Sequence, residues 1–430
     1  MGASGKMGRG IVLLLSKTIL FQNVQSKSEQ KIIALDLSSN GLKEMLEYIE
    51  IQSIKYAEKN IELIRKIYEK NTNLIHDTHL VHFYAKEIKK LIHTTNNIEE
   101  TYNSELIFEA VAEKIDIKTS LFEKIDRNSN GRPYYFTNTS SIPISTIERR
   151  AQLSGRIIGL HFYNPPPVQK LLEIIRSENT EEKLFSLAVD IAQLLNKRIV
   201  YAPDCAGFIG NGQFLREVSY AANLVENISE DYGFTGAILL INELTRDVLL
   251  RPMGIFEVVD YVGIDVCNSI LSVMQNAFSN EKFNDSFLQD WIQSGYVGGQ
   301  DTNGYTKNGI FKYESGEISG VFDRYEYQAF KPLDLRELST HNWKELKSAG
   351  SIQKTLKEHF NNLHSSSHPF SEIAIKYGKE CNKIGEYLVA HKIAFSESDV
   401  NQIMTLGFHH LYGPINNFFD ASLSVGSLKE

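Results

Sequence analysis

Glycines at positions 2, 5, 8 and 10 run without interruption into an apolar stretch that reaches Phe21, and this opening constrains the fold more than any other part of the chain. A turn that allows close backbone approach and feeds directly into a helix aims several N–H groups at one point, the geometry that cradles phosphate. The spacing departs from G-x-G-x-x-G, because Ala3 stands where the first glycine falls when Gly5-Lys6-Met7-Gly8 is aligned. Glycines in such a run serve equally well as plain helix-packing contacts. A second feature extends the phosphate reading. Lys31-Ile32-Ile33-Ala34-Leu35-Asp36 has the pattern of a short buried strand ending in an acid, followed by Ser38, Ser39 and Asn40 as turn or N-cap residues. Asp36, if it is not simply a turn former or N-cap, can accept from the ribose hydroxyls of NAD and repel the extra phosphate of NADP.

Composition narrows the partners. In 430 residues, 53 Asp+Glu outnumber 45 Lys+Arg for a formal charge of -8, which leaves no basic footprint for nucleic acid or an anionic membrane. Cys205, Cys267 and Cys381 are widely spaced, so neither a disulfide framework nor a metal site is expected, and a reducing cytoplasm fits best. The apolar stretch from Gly10 to Phe21 is broken by Ser16, Lys17 and Thr18, too short for a membrane span, and preceded by glycines where a signal peptide has basic residues.

Further along, residues 41 to about 98 read as helical throughout, a helical hairpin with solvated charges. Leu106 to Val111 and Tyr134 to Asn138 read as strands, separated by an amphipathic helix from about Asp116 to Ile125. Strands alternating with helices indicate a parallel α/β sheet with ligands at the carboxyl ends of its strands. From about residue 206 the strand signals stop and helical periodicity dominates. Loops at Gly295 to Gly309 and Ser348 to Ser371 interrupt it, so the natural cuts lie near 203 and between 330 and 370.

The strongest local signal is the segment from Gly159 to Ile175, in which two apolar runs flank Pro165-Pro166-Pro167. If the runs pair antiparallel about that reversal, His161 and Glu173 oppose each other and share a sheet face. A carboxylate in that place orients an imidazole and strengthens it as a base near neutral pH. A lone histidine is more often a satisfied core residue; the acid on the facing run turns the balance toward a dyad.

Six collinear segments resemble the 3-hydroxyacyl-CoA dehydrogenase family: Gly5 to Ile11; Glu109 to Glu113 with Leu121 to Asp126; Thr137 to Ser141; His161 to Glu173; Gly207 to Asn211; and Pro252 to Glu257. The resemblance covers about residues 1 to 315. It implies a dinucleotide-binding, Rossmann-like, doubly wound α/β sheet followed by all-α C-terminal domains, with NAD as cofactor. By the same resemblance, His161 is the catalytic base, Glu173 its orienting carboxylate, and Ser140 and Asn211 the residues that hold the substrate oxygen. Gly5, Met7, Gly8, Asp36, Glu113, Lys118 and Asn164 fall on positions around NAD. Lys59 falls near a lysine that meets the CoA phosphates, against the alternative of a solvated charge.

Three departures stand beside the matches. The family's first strand is expected to be missing, since Met1 already lies in the glycine turn; a gap between two strands would follow. Gly212 replaces the arginine usual after the asparagine, and Ala206 an often-found proline. The tail is also long: residues 366 to 420 loosely echo Phe208 to Asp260, which suggests a degenerate second helical copy, as in the multifunctional members. The expected regions are an NAD-binding domain at 1–203, a helical domain at 204–330 and the second copy at 331–430. The leading expectation is NAD-dependent oxidation of (3S)-3-hydroxyacyl-CoA to 3-oxoacyl-CoA. A 3-hydroxybutyryl-CoA dehydrogenase and a non-catalytic acyl-CoA-binding paralogue with an impaired NAD site are the alternatives. Either a homodimer or an internal pseudo-dimer of helical domains is compatible with the tail.

Overall fold

The computed structural model describes residues 1–69, 76–284, 286–301, 304–348 and 352–420. The last ten positions of the expected 331–430 region therefore lie outside the described residues, as do short pieces of the hairpin and of both expected loops. The chain divides into two compact units, Met1–Asp204 and Cys205–Glu430.

The first unit opens with helix α1 (Lys6–Ser26), whose N-cap is Gly5 in extended conformation and which stops at Lys27 in the left-handed region. Strand β1 (Ile32–Leu35) follows, then α2 (Ser39–Lys59), started by the Ser38 side chain accepting from the Gly41 N–H. Helices α3 (Ile61–Ile67) and α4 (Asp77–Lys90) complete the helical excursion. Its end differs from expectation: residues 92–95 form a strand, β2 (Ile92–Thr95), parallel to β1 with Ile32 opposite Ile92. The β-branched run Ile-His-Thr-Thr fits a pleated edge better than a last helical turn. The remaining elements alternate: β3 (Leu106–Glu109), α5 (Ile115–Asn128), β4 (Tyr134–Thr137), α6 (Ile144–Ala151), β5 (Ile157–Phe162), β6 (Leu171–Ile175), α7 (Glu182–Leu194) and β7 (Arg198–Ala202).

Five of these strands form one sheet in the order β3-β4-β5-β6-β7, parallel except for the antiparallel β5–β6 pair. Strands β1 and β2 form a separate pair. The expected gap lies between them: a cavity of about 770 Å³ lined by Ile33 of β1, Ile107 of β3, and Val12 and Leu15 of α1. Residues of the glycine turn span its end, with Ala110 N–H donating to Met1 O at 3.0 Å and Ala3 N–H to Leu35 O at 3.2 Å.

In the second unit, α8 (Gly210–Tyr232), α9 (Phe234–Glu243), α10 (Ile255–Val262), α11 (Ile264–Ala277) and the short α12 (Gln289–Gln293) precede a small antiparallel sheet of β8 (Phe311–Glu314), β9 (Glu317–Phe322) and β10 (Tyr327–Gln328). This sheet corrects the expectation of helix alone after residue 206. Its tight turn places Ser315 and Gly316 at positive φ, 54° and 85°, and the Ser-Gly pair between aromatic-rich runs is the hairpin signal that went unread. Helices α13 (Trp343–Lys347), α14 (Ile352–Ser365), α15 (Ser371–Ala390) and α16 (Glu397–Gly407) close the chain.

One hydrophobic core runs through this unit, from Val218 on α8 to Phe360 on α14 and Tyr377 on α15. The tail seats itself on α8: a Cβ at Gly212 would meet Leu388 and Ile393 at 3.6 Å, so the small residue there leaves room for the end of α15. Two loops repeat one device. Asn242 Oδ1 accepts from the N–H groups of Phe256 and Glu257, beside Gly254; Asn401 Oδ1 accepts from the Ile415 N–H, beside Gly413. In both loops the glycine sits twelve residues after its asparagine.

Candidate active site

The glycine turn is set by contact distances. Gly2 has φ of +69°, and a Cβ there would lie 2.5 Å from Ala110 O; a Cβ on Gly8 would lie 1.9 Å from Gly2 O. The first turn of α1 is thereby drawn tightly onto the turn that precedes it. Gly5 offers no side-chain cap and the first turn of α1 holds no acid, so the positive end of the helix dipole there favours an anion. Beside it, at the end of β1, Asp36 accepts from the Ser4 N–H at 2.9 Å and the Ser38 N–H at 3.1 Å. Burial pushes its pKa up, but these N–H donors and the Ser4 hydroxyl outweigh it and hold the carboxyl pKa below its ordinary value. It is therefore ionised, with acceptor capacity left for hydroxyls. Leu37, the next residue, is 96% exposed, a large apolar side chain left in the open beside this corner that pattern reading did not single out. These features suit a dinucleotide: N–H groups for pyrophosphate, an acceptor for ribose, an apolar surface for adenine.

The next group lies after β3 and β4. Lys118 is 1% exposed and held between Glu109, at 2.7 Å, and Glu113, at 3.2 Å. Burial lowers the basicity of Lys118, yet the two carboxylates more than restore it, so the ammonium keeps its charge. Glu113 in turn is pushed up by burial and brought below its ordinary value by the Lys118 charge and by donors from Thr139 and Ser140. Its Oε1 accepts from the backbone N–H groups of Ser140 at 2.8 Å and Ser141 at 3.0 Å, and from the Thr139 hydroxyl at 2.6 Å. Glu113 thus shapes the loop carrying Ser140, and Lys118, placed inside, acts through Glu113. Thr139 and Ser141 belong to this loop and were not anticipated as individual members.

Strands β5 and β6 are both buried along their whole length. Its register pairs His161 with Glu173, and His161 Nδ1 lies 2.6 Å from Glu173 Oε2. The Phe162 N–H donates to Asn138 Oδ1 at 2.9 Å, tying the hairpin to the end of β4. Glu173 is fully buried and His161 is 8% exposed. A third group, unforeseen, joins them: the Tyr163 hydroxyl donates to Glu173 Oε2 at 2.9 Å. Asn164 opens the proline reversal, its carbonyl accepting from Gln169 Nε2 at 3.3 Å. The reversal also meets α1, for a Cβ on Gly10 would lie 2.9 Å from Pro166.

Asn211 is in the first turn of α8, in the second unit. Lys59 is exposed at the far end of α2, about 30 Å along the helix from the Asp36 corner at 1.5 Å per residue. Among the described residues, no group of three or more His, Cys, Asp or Glu is arranged to hold a metal ion, and no helix is long and apolar enough to cross a membrane.

Known proteins place this geometry. The sequence model of "3-hydroxyacyl-CoA dehydrogenase, NAD binding domain" matches residues 1–205, and that of "3-hydroxyacyl-CoA dehydrogenase, C-terminal domain" matches residues 207–308. A Bacillus subtilis protein named probable 3-hydroxybutyryl-CoA dehydrogenase is 29% identical over 223 residues, 51% of this chain and 75% of that protein. A probable 3-hydroxyacyl-CoA dehydrogenase of Caenorhabditis elegans is 31% identical over 224 residues, 50% of this chain and 68% of the relative. In fold, the Escherichia coli 3-hydroxybutyryl-CoA dehydrogenase superposes with a TM-score of 0.61 at 19% identity, covering 96% of this chain and 89% of that one. With a split Rossmann-like sheet, a cradle suited to NAD and both domain matches in order, the chain belongs to the 3-hydroxyacyl-CoA dehydrogenase family of NAD-dependent oxidoreductases.

Proposed function

We propose that this chain oxidises (3S)-3-hydroxyacyl-CoA to 3-oxoacyl-CoA, as in fatty-acid β-oxidation. The observation that carries the reading is the 2.6 Å approach of His161 Nδ1 to Glu173 Oε2 between two buried strands. With Nδ1 engaged, Nε2 takes the proton of the 3-hydroxyl, and the Glu173 charge stabilises the imidazolium that forms. NAD, when bound, supplies the acceptor for the hydride leaving C3. Ser140 and Asn211 present donors where charge develops on the substrate oxygen. Backbone groups of Gly5, Met7 and Gly8 hold the pyrophosphate, Asp36 the ribose, and Leu37 covers the adenine. Glu113 and Asn164 flank the nicotinamide, Lys118 supports Glu113, and Lys59 meets the CoA phosphates. The test is the fall in NADH absorbance with acetoacetyl-CoA. No oxidation by a folded preparation, or unchanged activity in His161→Gln, overturns the reading.

A second reading starts from the apolar-lined cavity between β1 and β3, beside the cradle. In it the chain is a non-catalytic acyl-CoA-binding paralogue. Titration calorimetry separates the two, since this reading requires acyl-CoA binding without saturable NAD heat. Chain length is open to the same assay: a 3-hydroxybutyryl-CoA dehydrogenase prefers acetoacetyl-CoA to longer 3-oxoacyl-CoAs in kcat/KM. The paired asparagine and glycine devices support reading 331–430 as a degenerate second copy of 204–330, behind an NAD-binding domain at 1–203. An internal pseudo-dimer then sediments as a monomer, whereas a chain using the same surface between copies sediments as a dimer. The small number and wide spacing of Cys205, Cys267 and Cys381 suit a cytoplasmic location.

A further inference from the structure

The Glu173 carboxylate receives two donors on one oxygen. His161 Nδ1 faces Oε2 at 2.6 Å and the Tyr163 hydroxyl donates to it at 2.9 Å. Tyr163 stands two residues after His161, so it continues the same face just beyond the end of β5. The two rings lie beside each other, centroids 4.9 Å apart and tilted by 41°. Burial and the Glu173 charge hold the phenol well above its ordinary range, so it remains a donor at every working pH.

The terminal torsion of a glutamate is broad, and each donor from its own direction narrows the range through which the carboxylate can turn. During turnover the imidazole alternates between neutral and charged forms, and its pull on the carboxylate weakens each time it loses its proton. A neutral phenol pulls equally in both states. We propose that Tyr163 is a positioning residue of the dyad: its hydroxyl pins Glu173 Oε2 toward His161 Nδ1, keeping the imidazole in the tautomer whose Nε2 accepts the substrate proton. The proposal rests on the reading of His161 as the base, while the pinning itself is a property of the ligand-free protein.

The experiment is Tyr163→Phe, with Tyr163→Met as a second variant should the first fold poorly by circular dichroism. Nitrogen-15 NMR of the His161 ring in the ligand-free protein is expected to show the Nδ1–H tautomer in the parent and a tautomer mixture in the variant. With acetoacetyl-CoA and NADH, kcat is expected to fall roughly tenfold, the effect of one lost hydrogen bond to a charged group, with both KM values within about twofold. In a Glu173→Gln background the same substitution is expected to add little, because the two residues act as one unit. A parental tautomer spectrum in both variants, or a loss that adds fully to that of Glu173→Gln, overturns the proposal. If the parent oxidises no NADH, the dehydrogenase reading fails, and the tautomer spectra still decide the role of Tyr163.

Discussion

Substituting Gly8 by alanine tests the packing beneath the cofactor cradle. The new Cβ would sit 1.9 Å from Gly2 O and 2.8 Å from Gly2 C, both backbone atoms, whereas real Cβ contacts essentially never fall under 3.0 Å. No flexible side chain can swing away, so the α1 terminus and the turn must part by about 1 Å or more. Overpacking of this kind costs about 1–3 kcal/mol. For a unit of this size, that lowers the midpoint of thermal unfolding by roughly 2–4 °C per kcal/mol. The same displacement pulls the leading N–H groups of α1 off the pyrophosphate. Losing one or two hydrogen bonds to charged oxygens, at about 1.5–3 kcal/mol each, weakens NAD binding by at least about tenfold. Gly5→Ala is the control, since a Cβ there meets Gly2 O at 3.4 Å, an ordinary contact, and Gly5 has no positive φ. The assays are calorimetric unfolding and NAD titration. If Gly8→Ala keeps parental stability and affinity, or if Gly5→Ala is the more damaging for stability, the packing argument is wrong.

Glu173→Gln is nearly isosteric and removes the charge that supports the imidazolium; kcat is expected to fall about 10²-fold or more, with parental circular dichroism. Lys118→Met strips the buried Glu109 carboxylate of its ammonium partner, and urea unfolding is expected to show a loss of about 3–5 kcal/mol. Much of that loss should be recovered by adding Glu109→Gln. Asn242→Ala orphans the N–H groups of Phe256 and Glu257 and is expected to cost about 2–4 kcal/mol by the same measurement, at about 1–3 kcal/mol per unmet buried group. Burial raises the Asp260 carboxyl from 3.8 to about 8, against the opposing donors of Phe311, Ile310 and Tyr313. The folded state then holds a proton that the unfolded chain releases above pH 3.8. This group's contribution is therefore greatest below that pH and declines as pH rises toward 8. Unfolding midpoints across that interval should fall less steeply in Asp260→Asn than in the parent; equal slopes would refute the assignment.

Much of the candidate site was readable without coordinates, because it depends on short-range pattern. Two apolar runs about a triple proline place His161 opposite Glu173 by counting alone, since side chains in a strand alternate and a reversal fixes which residues face each other. The glycine turn, the strand leading to Asp36 and the Thr139 to Ser141 loop after β4 are likewise local. What pattern could not supply was the identity of partners across the fold. Nothing in the neighbourhood of Glu113 announces that its carboxylate will gather the Thr139 to Ser141 loop, or that Lys118 will be sealed between two acids. Those contacts join residues on different strands and loops, and the same charges on a solvated helix would read identically. Tyr163 was visible in the motif but passed as another aromatic, because its hydroxyl acquires meaning only when Glu173 Oε2 arrives 2.9 Å away.

The sequence by itself determined the strand–helix–strand alternation from Leu106 to Asn138, the glycine turn leading into α1 and the His-Glu register, since each follows from periodicity, turn chemistry and spacing along the chain. Only the tertiary structure decided that residues 92–95 form β2 alongside β1, and that residues 311–328 form a small sheet within a helical unit. It alone seated α15 over Gly212. Those outcomes depend on which edges and faces meet at long sequence separation, where packing and the pairing of backbone groups outweigh local preference.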